Sequence, residues 1–215
     1  GSGNTATCTQ VVTVIDNEAP QIACPADITV SAGGGSCSAS GVALGTPVVS
    51  DNCSVASVVN NELSTYNLGT TPVMWTVTDV SGNSTSCIQN VIVIDTENPV
   101  ITCPFPVTVS TGIGTCEATG VALGMATGTD NCSVASIVNN APVSYALGLN
   151  TVTWTITDGS GNAATCTQTV TVIDDQAPMI ACPGDVTVAA APGLCTATGM
   201  VLGSPMTSDN CSVAS

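Results

Sequence analysis

The 215-residue chain contains no lysine, no arginine and no histidine, against fifteen aspartates and glutamates, for a formal charge of −15. Phosphate recognition depends on basic side chains that displace counterions, so nucleic acid is excluded as a partner. An anionic membrane surface repels such a chain for the same reason. Aromatics are also scarce, with two Trp, two Tyr and one Phe. No apolar run approaches the ~18 residues of a membrane span, and no basic stretch precedes an apolar one as in a signal peptide. Without His there is no imidazole base, and without Lys no Schiff base. A carboxylate pair is the one catalytic device left, and nothing in the sequence supplies a substrate cleft. The chain is therefore read as non-enzymatic.

What is present is Val, Thr, Ala and Gly in abundance, and twelve cysteines. The cysteine number is even and none forms a CxxC pair, which argues for disulfides and against zinc ribbons or redox sites. Disulfides imply an oxidising compartment outside the cytoplasm.

The cysteines follow one ruler. Steps of 79 residues link Cys24, Cys103 and Cys182; Cys37, Cys116 and Cys195; Cys53, Cys132 and Cys211; and Cys8, Cys87 and Cys166. The string DNCSVAS recurs unchanged at 51–57, 130–136 and 209–215, and Trp75 and Trp154 keep the same step. Such self-similarity marks a tandem repeat. The organisation expected is the C-terminal part of one repeat at 1–17, complete repeats at 18–96 and 97–175, and the N-terminal part of another at 176–215. Gly1-Ser2-Gly3-Asn4 aligns with Gly159-Ser160-Gly161-Asn162, so the segment is expected to continue on both sides.

Within a repeat, strands are predicted over 27–31, 37–44, 55–60, 72–79 and 84–94, with turns at Gly33-Gly34-Gly35 and Ser81-Gly82-Asn83. Val73, Trp75 and Val77 alternate with polar residues, as in a half-buried strand. No stretch has a 3.6-residue apolar period. Short strands with regular turns in fewer than eighty residues predict an all-β, immunoglobulin-like sandwich in each module. The tryptophans are expected in the core. Tyr66 and Tyr145 are read either as contact residues or as lids over the sandwich.

These residues carry a resemblance. Cys24-Pro25, Asp51-Asn52-Cys53, Trp75 to Asp79 with Ser81-Gly82-Asn83, and Cys87 all return one step later, and together they resemble the hyalin repeat, or HYR domain. The resemblance implies an immunoglobulin-related fold, a secreted or cell-surface setting and a role in adhesion. The regular spacing resembles the long arrays of giant bacterial surface adhesins of the Bacteroidota type. From the cysteines that animal members keep, it also implies that Cys24 pairs with Cys87 and Cys103 with Cys166. That leaves Cys37 with Cys53, Cys116 with Cys132 and Cys195 with Cys211, while Cys8 and Cys182 lack partners. Four cysteines allow three connectivities, so spacing leaves the choice open.

If strands alternate in direction, the loop holding Asp51 and Asn52, the turn from Asp79 to Asn83 and the linker holding Asp16 and Glu18 share one end of the module. The second set is Asp95, Glu97, Asp130, Asn131, Asp158 and Asn162, and a third begins at Asp174 and Asp175. Calcium takes six to eight oxygen ligands of these kinds, so Ca2+ at the inter-repeat junctions is expected, with no organic cofactor. The competing reading is that Asp and Asn sit there because their side chains bond nearby amides in tight turns. Asn52-Cys-Ser, Asn83-Ser-Thr and Asn131-Cys-Ser match the N-glycosylation acceptor pattern.

Two functions follow from different classes. One is a surface filament or stalk, each repeat about 35–40 Å long if strands of about ten residues set its height. Its partners are neighbouring repeats and other copies in a fibre, and the lack of Lys and Arg removes every trypsin-type site. The alternative is a module that recognises a glycan or protein through its loops.

Overall fold

The computed structural model describes residues 1–213, and the chain divides into two compact units. Unit 1 comprises Gly1–Glu97 with Asp130–Cys132, and unit 2 comprises Asn98–Thr129 with Ser133 onward. Among the described residues there is no helix, and so none long and apolar enough to cross a membrane.

Unit 1 contains β1 (Gln21–Ala23), β2 (Ile28–Ser31), β3 (Ser38–Ser40), β4 (Val48–Ser50), β5 (Val55–Asn60), β6 (Thr65–Asn67), β7 (Gly69–Asp79) and β8 (Ser84–Ile94). Its main sheet has the order β2-β8-β7-β5, with β2 parallel to β8 and the other neighbours antiparallel. The pairs β1–β4 and β3–β6 complete the sandwich. Alternation along β7 turns Val73, Trp75, Val77 and Asp79 inward, and β8 adds Gln89, Val91 and Val93.

Unit 2 repeats this plan with β9 (Val100–Thr102), β10 (Val107–Ser110), β11 (Glu117–Thr119), β12 (Thr127–Thr129), β13 (Val134–Asn139), β14 (Ser144–Ala146), β15 (Gly148–Asp158) and β16 (Ala163–Ile173). Its sheet runs β10-β16-β15-β13 and its core holds Val152, Trp154, Ile156, Val170 and Val172. Two further short strands, β17 (Met179–Ala181) and β18 (Met206–Ser208), pair with each other.

The architecture is the predicted tandem of immunoglobulin-like sandwiches, with local differences. The strand expected over 37–44 shrinks to β3, because Gly41 takes a φ of 64°, a left-handed conformation that ends the extended run. β1, β4 and β6 are three residues each, too short to show a period in sequence.

A buried polar pin holds each core. Trp75 Nε1 donates to Gln89 Oε1 at 3.0 Å, and Gln89 Nε2 donates to the carbonyls of Ala26 and Leu44 at 2.7 and 3.0 Å. In unit 2, Trp154 donates to Gln168 at 3.0 Å, and Gln168 to Phe105 and Leu123, both at 2.8 Å. The glutamine thereby satisfies loop carbonyls that the short strands leave without ladder partners. Tyr66 and Tyr145 are core residues, 1% and 2% exposed, and the Leu63 amide donates to the Tyr66 hydroxyl at 3.2 Å. That resolves their two readings in favour of packing.

Candidate cation site and the cysteine network

The acidic loops are built from turns that aim carboxylates at one another. Asp51 Oδ2 accepts from the Cys53 amide at 3.0 Å, the side-chain turn that Asp-Asn sequences favour. Asp16 Oδ1 accepts from the Glu18 amide at 3.0 Å and from Asn52 Nδ2 at 3.3 Å. Asp79, 2% exposed, accepts from the amides of Ser81 and Asn83, each at 2.8 Å, and from Asn83 Nδ2 at 2.7 Å. Asn83 Nδ2 also reaches the Asp16 carbonyl at 3.2 Å. Three segments far apart in sequence thus converge, and Asp16, Asp51 and Asp79 each offer an oxygen within 4.8 Å of the others. Two ligands of one calcium ion, at about 2.3–2.6 Å from it, lie no farther apart than about 5 Å. The spacing therefore fits a single ion. Asp51 Oδ1 is buried there with no hydrogen-bond donor.

The electrostatics follow from these contacts. The Glu18 amide and then the Asn52 side chain hold Asp16 below its ordinary pKa, against desolvation. Hydrogen bonding to Asp16, then burial and the charges of Asp16, Asp51 and Asp79, push the Cys53 thiol up. At Asp158 desolvation pushes upward, and the Asn162 side chain and amide with the Ser160 and Gly161 amides outweigh it, leaving the carboxyl lowered.

A second group in unit 1 brings together Asp95, Asp130 and Cys132. Cys132 is a disulfide sulfur, so the two carboxylates supply its oxygens. Asn131 Oδ1 is buried there without a donor. Glu97 is committed elsewhere: its Oε2 accepts from the Gly35 amide at 3.0 Å. Glu18 lies outside the group of three. In unit 2, Asp158 and Asn162 form the same turn as Asp79 and Asn83. Asp174 bonds the Gln176 amide and Asp175 the Ser110 hydroxyl, at 3.1 and 2.6 Å.

The cysteines require a correction. Cys24 is joined to Cys87 and Cys103 to Cys166, each across 63 residues. The remaining bonds are Cys37–Cys132 and Cys116–Cys211, each across 95 residues, in place of Cys37–Cys53, Cys116–Cys132 and Cys195–Cys211. Cys8, Cys53, Cys182 and Cys195 carry no disulfide. The reason lies in the Asp-Asn-Cys loop. Asn131 Nδ2 donates to the Ser36 carbonyl at 3.0 Å and to Asp95 Oδ1 at 3.3 Å, which seats Cys132 on the turn that carries Cys37. Asn210 does the same to Thr111 Oγ1 and the Thr115 carbonyl, at 3.2 and 2.9 Å, beside Cys116. The loop that looked like a metal-binding element is also a clasp for the preceding repeat. The side-chain nitrogens of Asn52 and Asn131 are used as donors inside the fold, so a glycan on either would break those bonds.

The sequence reading missed Gln89 and Gln168. The signal was available, since Gln10, Gln89 and Gln168 also keep the 79-residue step, in phase with the inward-facing valines of the same strand.

The HYR domain profile matches residues 15–93 and 94–172. Hyalin of Strongylocentrotus purpuratus is 32% identical over 193 residues, which is 80% of this chain and 15% of that protein. Hyalin of Lytechinus variegatus is 31% identical over 207 residues, 86% of this chain and 37% of that protein. The chain thus spans well under half the length of either. Among solved structures, the extracellular cadherin domains 1–4 of protocadherin gamma B7 align over 81% of this chain and 56% of theirs, with a TM-score of 0.38 and 12% identity.

Proposed function

The chain belongs to the HYR domain family, and on that premise we propose that it is a structural segment of an extracellular adhesive array, giving reach and resistance to force and proteolysis rather than catalysis. The repeats act in series, with borders proposed at 17/18, 96/97 and 175/176, in the manner of the long arrays of bacterial surface adhesins. Its partners are its own neighbouring repeats and, laterally, other copies in a fibre. The observation that carries this reading is that the Cys37–Cys132 and Cys116–Cys211 bonds span more residues than one repeat, so each ties a repeat to the next. A recognition module with a stacking sugar site is less well supported, because both tryptophans and both tyrosines are buried.

Calcium at the junctions belongs to the same proposal. In a chain without a cationic side chain, the cluster of Asp16, Asp51 and Asp79, the donor-less Asp51 Oδ1 and the pair Asp95 and Asp130 favour a hard divalent ion. Asn52, Asn83, Asn131 and Asn162 are then second partners that orient the carboxylates. Electron microscopy of the native material with and without EDTA tests both parts. Straight beaded fibres that soften on chelation are expected, with a lower thermal midpoint in EDTA. Short flexible strings with an unchanged melting curve would overturn the calcium-stiffened filament.

A further inference from the structure

The two disulfide classes have spans that bracket the repeat. Cys24–Cys87 and Cys103–Cys166 span 63 residues, which is 79 − 63 = 16 short of one step; Cys37–Cys132 and Cys116–Cys211 span 95, which is 95 − 79 = 16 beyond it. Two covalent routes therefore run along the chain. One crosses Cys24–Cys87, follows the backbone forward from Cys87 to Cys103 (103 − 87 = 16 residues) and crosses Cys103–Cys166. The other crosses Cys37–Cys132, follows the backbone in reverse from Cys132 to Cys116 (132 − 116 = 16 residues) and crosses Cys116–Cys211. The backbone segments used, 87–103 and 116–132, share no residue.

From this topology we infer that the disulfides form two parallel covalent rails, so that no single peptide-bond cleavage between Cys24 and Cys211 severs the chain. The spans overlap along that whole interval: 24–87, 37–132, 103–166 and 116–211. Between the two 63-residue loops the vulnerable stretch is 88–102, which neither loop covers. It contains Thr96, Glu97 and Asn98, all exposed, and only Cys37–Cys132 bridges it. The clasp thus covers the one segment of each step that a bond within the repeat leaves open. The same topology limits extension under force. Each rail has 16 residues of free backbone per step against 79 in the reduced chain, or about 55 Å against about 270 Å at ~3.4 Å per residue. A loaded array can lose the folded structure of a repeat without releasing most of its length.

This rests on the reading of the chain as a load-bearing array exposed to proteases, and the test separates the two. With no Lys or Arg in the chain, Thr96→Arg creates a single trypsin site in the exposed linker. The oxidised, thiol-alkylated full chain is digested, with mild urea added until a reducing gel shows complete cleavage into two fragments. Without reductant it is expected to run as one species of intact mass. Adding Cys37→Ser and Cys132→Ser should separate the fragments without reductant, while adding Cys24→Ser and Cys87→Ser should leave them joined. Fragments that part without reductant in the variant with all cysteines present would overturn the rails. That result would leave the surface array standing, and a failure to see filaments would leave the rails standing, since the gel reads only the bonds.

Discussion

Val49 and Val77 in the first complete repeat become Gly128 and Ile156 one step later in the second. Val77 and Ile156 are both fully buried, and a Cβ placed on Gly128 would collide with Ile156 Cδ1 and with the Val100 carbonyl. The larger residue on β15 is accommodated by the missing side chain on β12. The second module therefore fits a larger core residue by giving up the side chain that faces it across the sandwich, a compensation between neighbours that packed interiors permit. The two modules keep residue identity at the Trp–Gln pin and at the Asp–Asn turn, where geometry and hydrogen bonding leave no substitute. Surface clasps, by contrast, are free to differ. Asp27 accepts from the Asn90 amide and side chain at 2.8 and 3.1 Å, while Pro106 and Thr169 stand at the matching positions.

Trp75→Ala should destabilise its module by about 3–5 kcal/mol, and Trp154→Ala by a similar amount, because each removes the same aromatic and the donor to its glutamine. Denaturant midpoints of the full chain check this, and sharply unequal losses would mean that the two cores are not equivalent. Gln89→Leu should cost about 1–3 kcal/mol for each polar group it leaves buried without a partner, counting the Trp75 indole and the Leu44 carbonyl.

Gly128→Val should cost about 1–3 kcal/mol by overpacking, and Ile156→Val in the same chain should restore most of it, since that pair reproduces Val49 with Val77. Additive losses in the double variant would refute the compensation. The smallest effect is the pH dependence of the Asp27–Asn90 clasp, a contact that the first repeat has and the second lacks. The Asn90 amide and side chain hold the Asp27 pKa below its ordinary 3.8. The clasp's stability is therefore fully present above that value and lost as pH falls through the lower folded pKa. Asp27→Ala should lower the thermal midpoint at neutral pH, and the difference from the unaltered chain should close in acid below about pH 3.8.

Much of the fold was legible because strand alternation writes itself into sequence: Val73, Trp75 and Val77 announce β7, and the same phase in β8 points to Val91 and Val93. The three-residue strands β1, β4 and β6 carry too few residues to show a period. At the site, Asp16, Asp51 and Asp79 were found from turn composition and an argument about strand direction. The diversion of Glu97 to the Gly35 amide depends on a contact 62 residues away that no local pattern encodes.

By itself the sequence determined the 79-residue step, the all-β modules, the disulfide chemistry and the absence of any basic or imidazole group. The folded chain alone settles the partners of Cys37, Cys116, Cys132 and Cys211. Closing a loop of 95 residues instead of 16 costs only about 1.6 kcal/mol more in chain entropy, so spacing barely discriminates between Cys37–Cys53 and Cys37–Cys132. A disulfide instead demands Cα atoms about 4.4–6.8 Å apart. Asn131, by bonding the Ser36 carbonyl, sets Cys132 at 4.7 Å from Cys37.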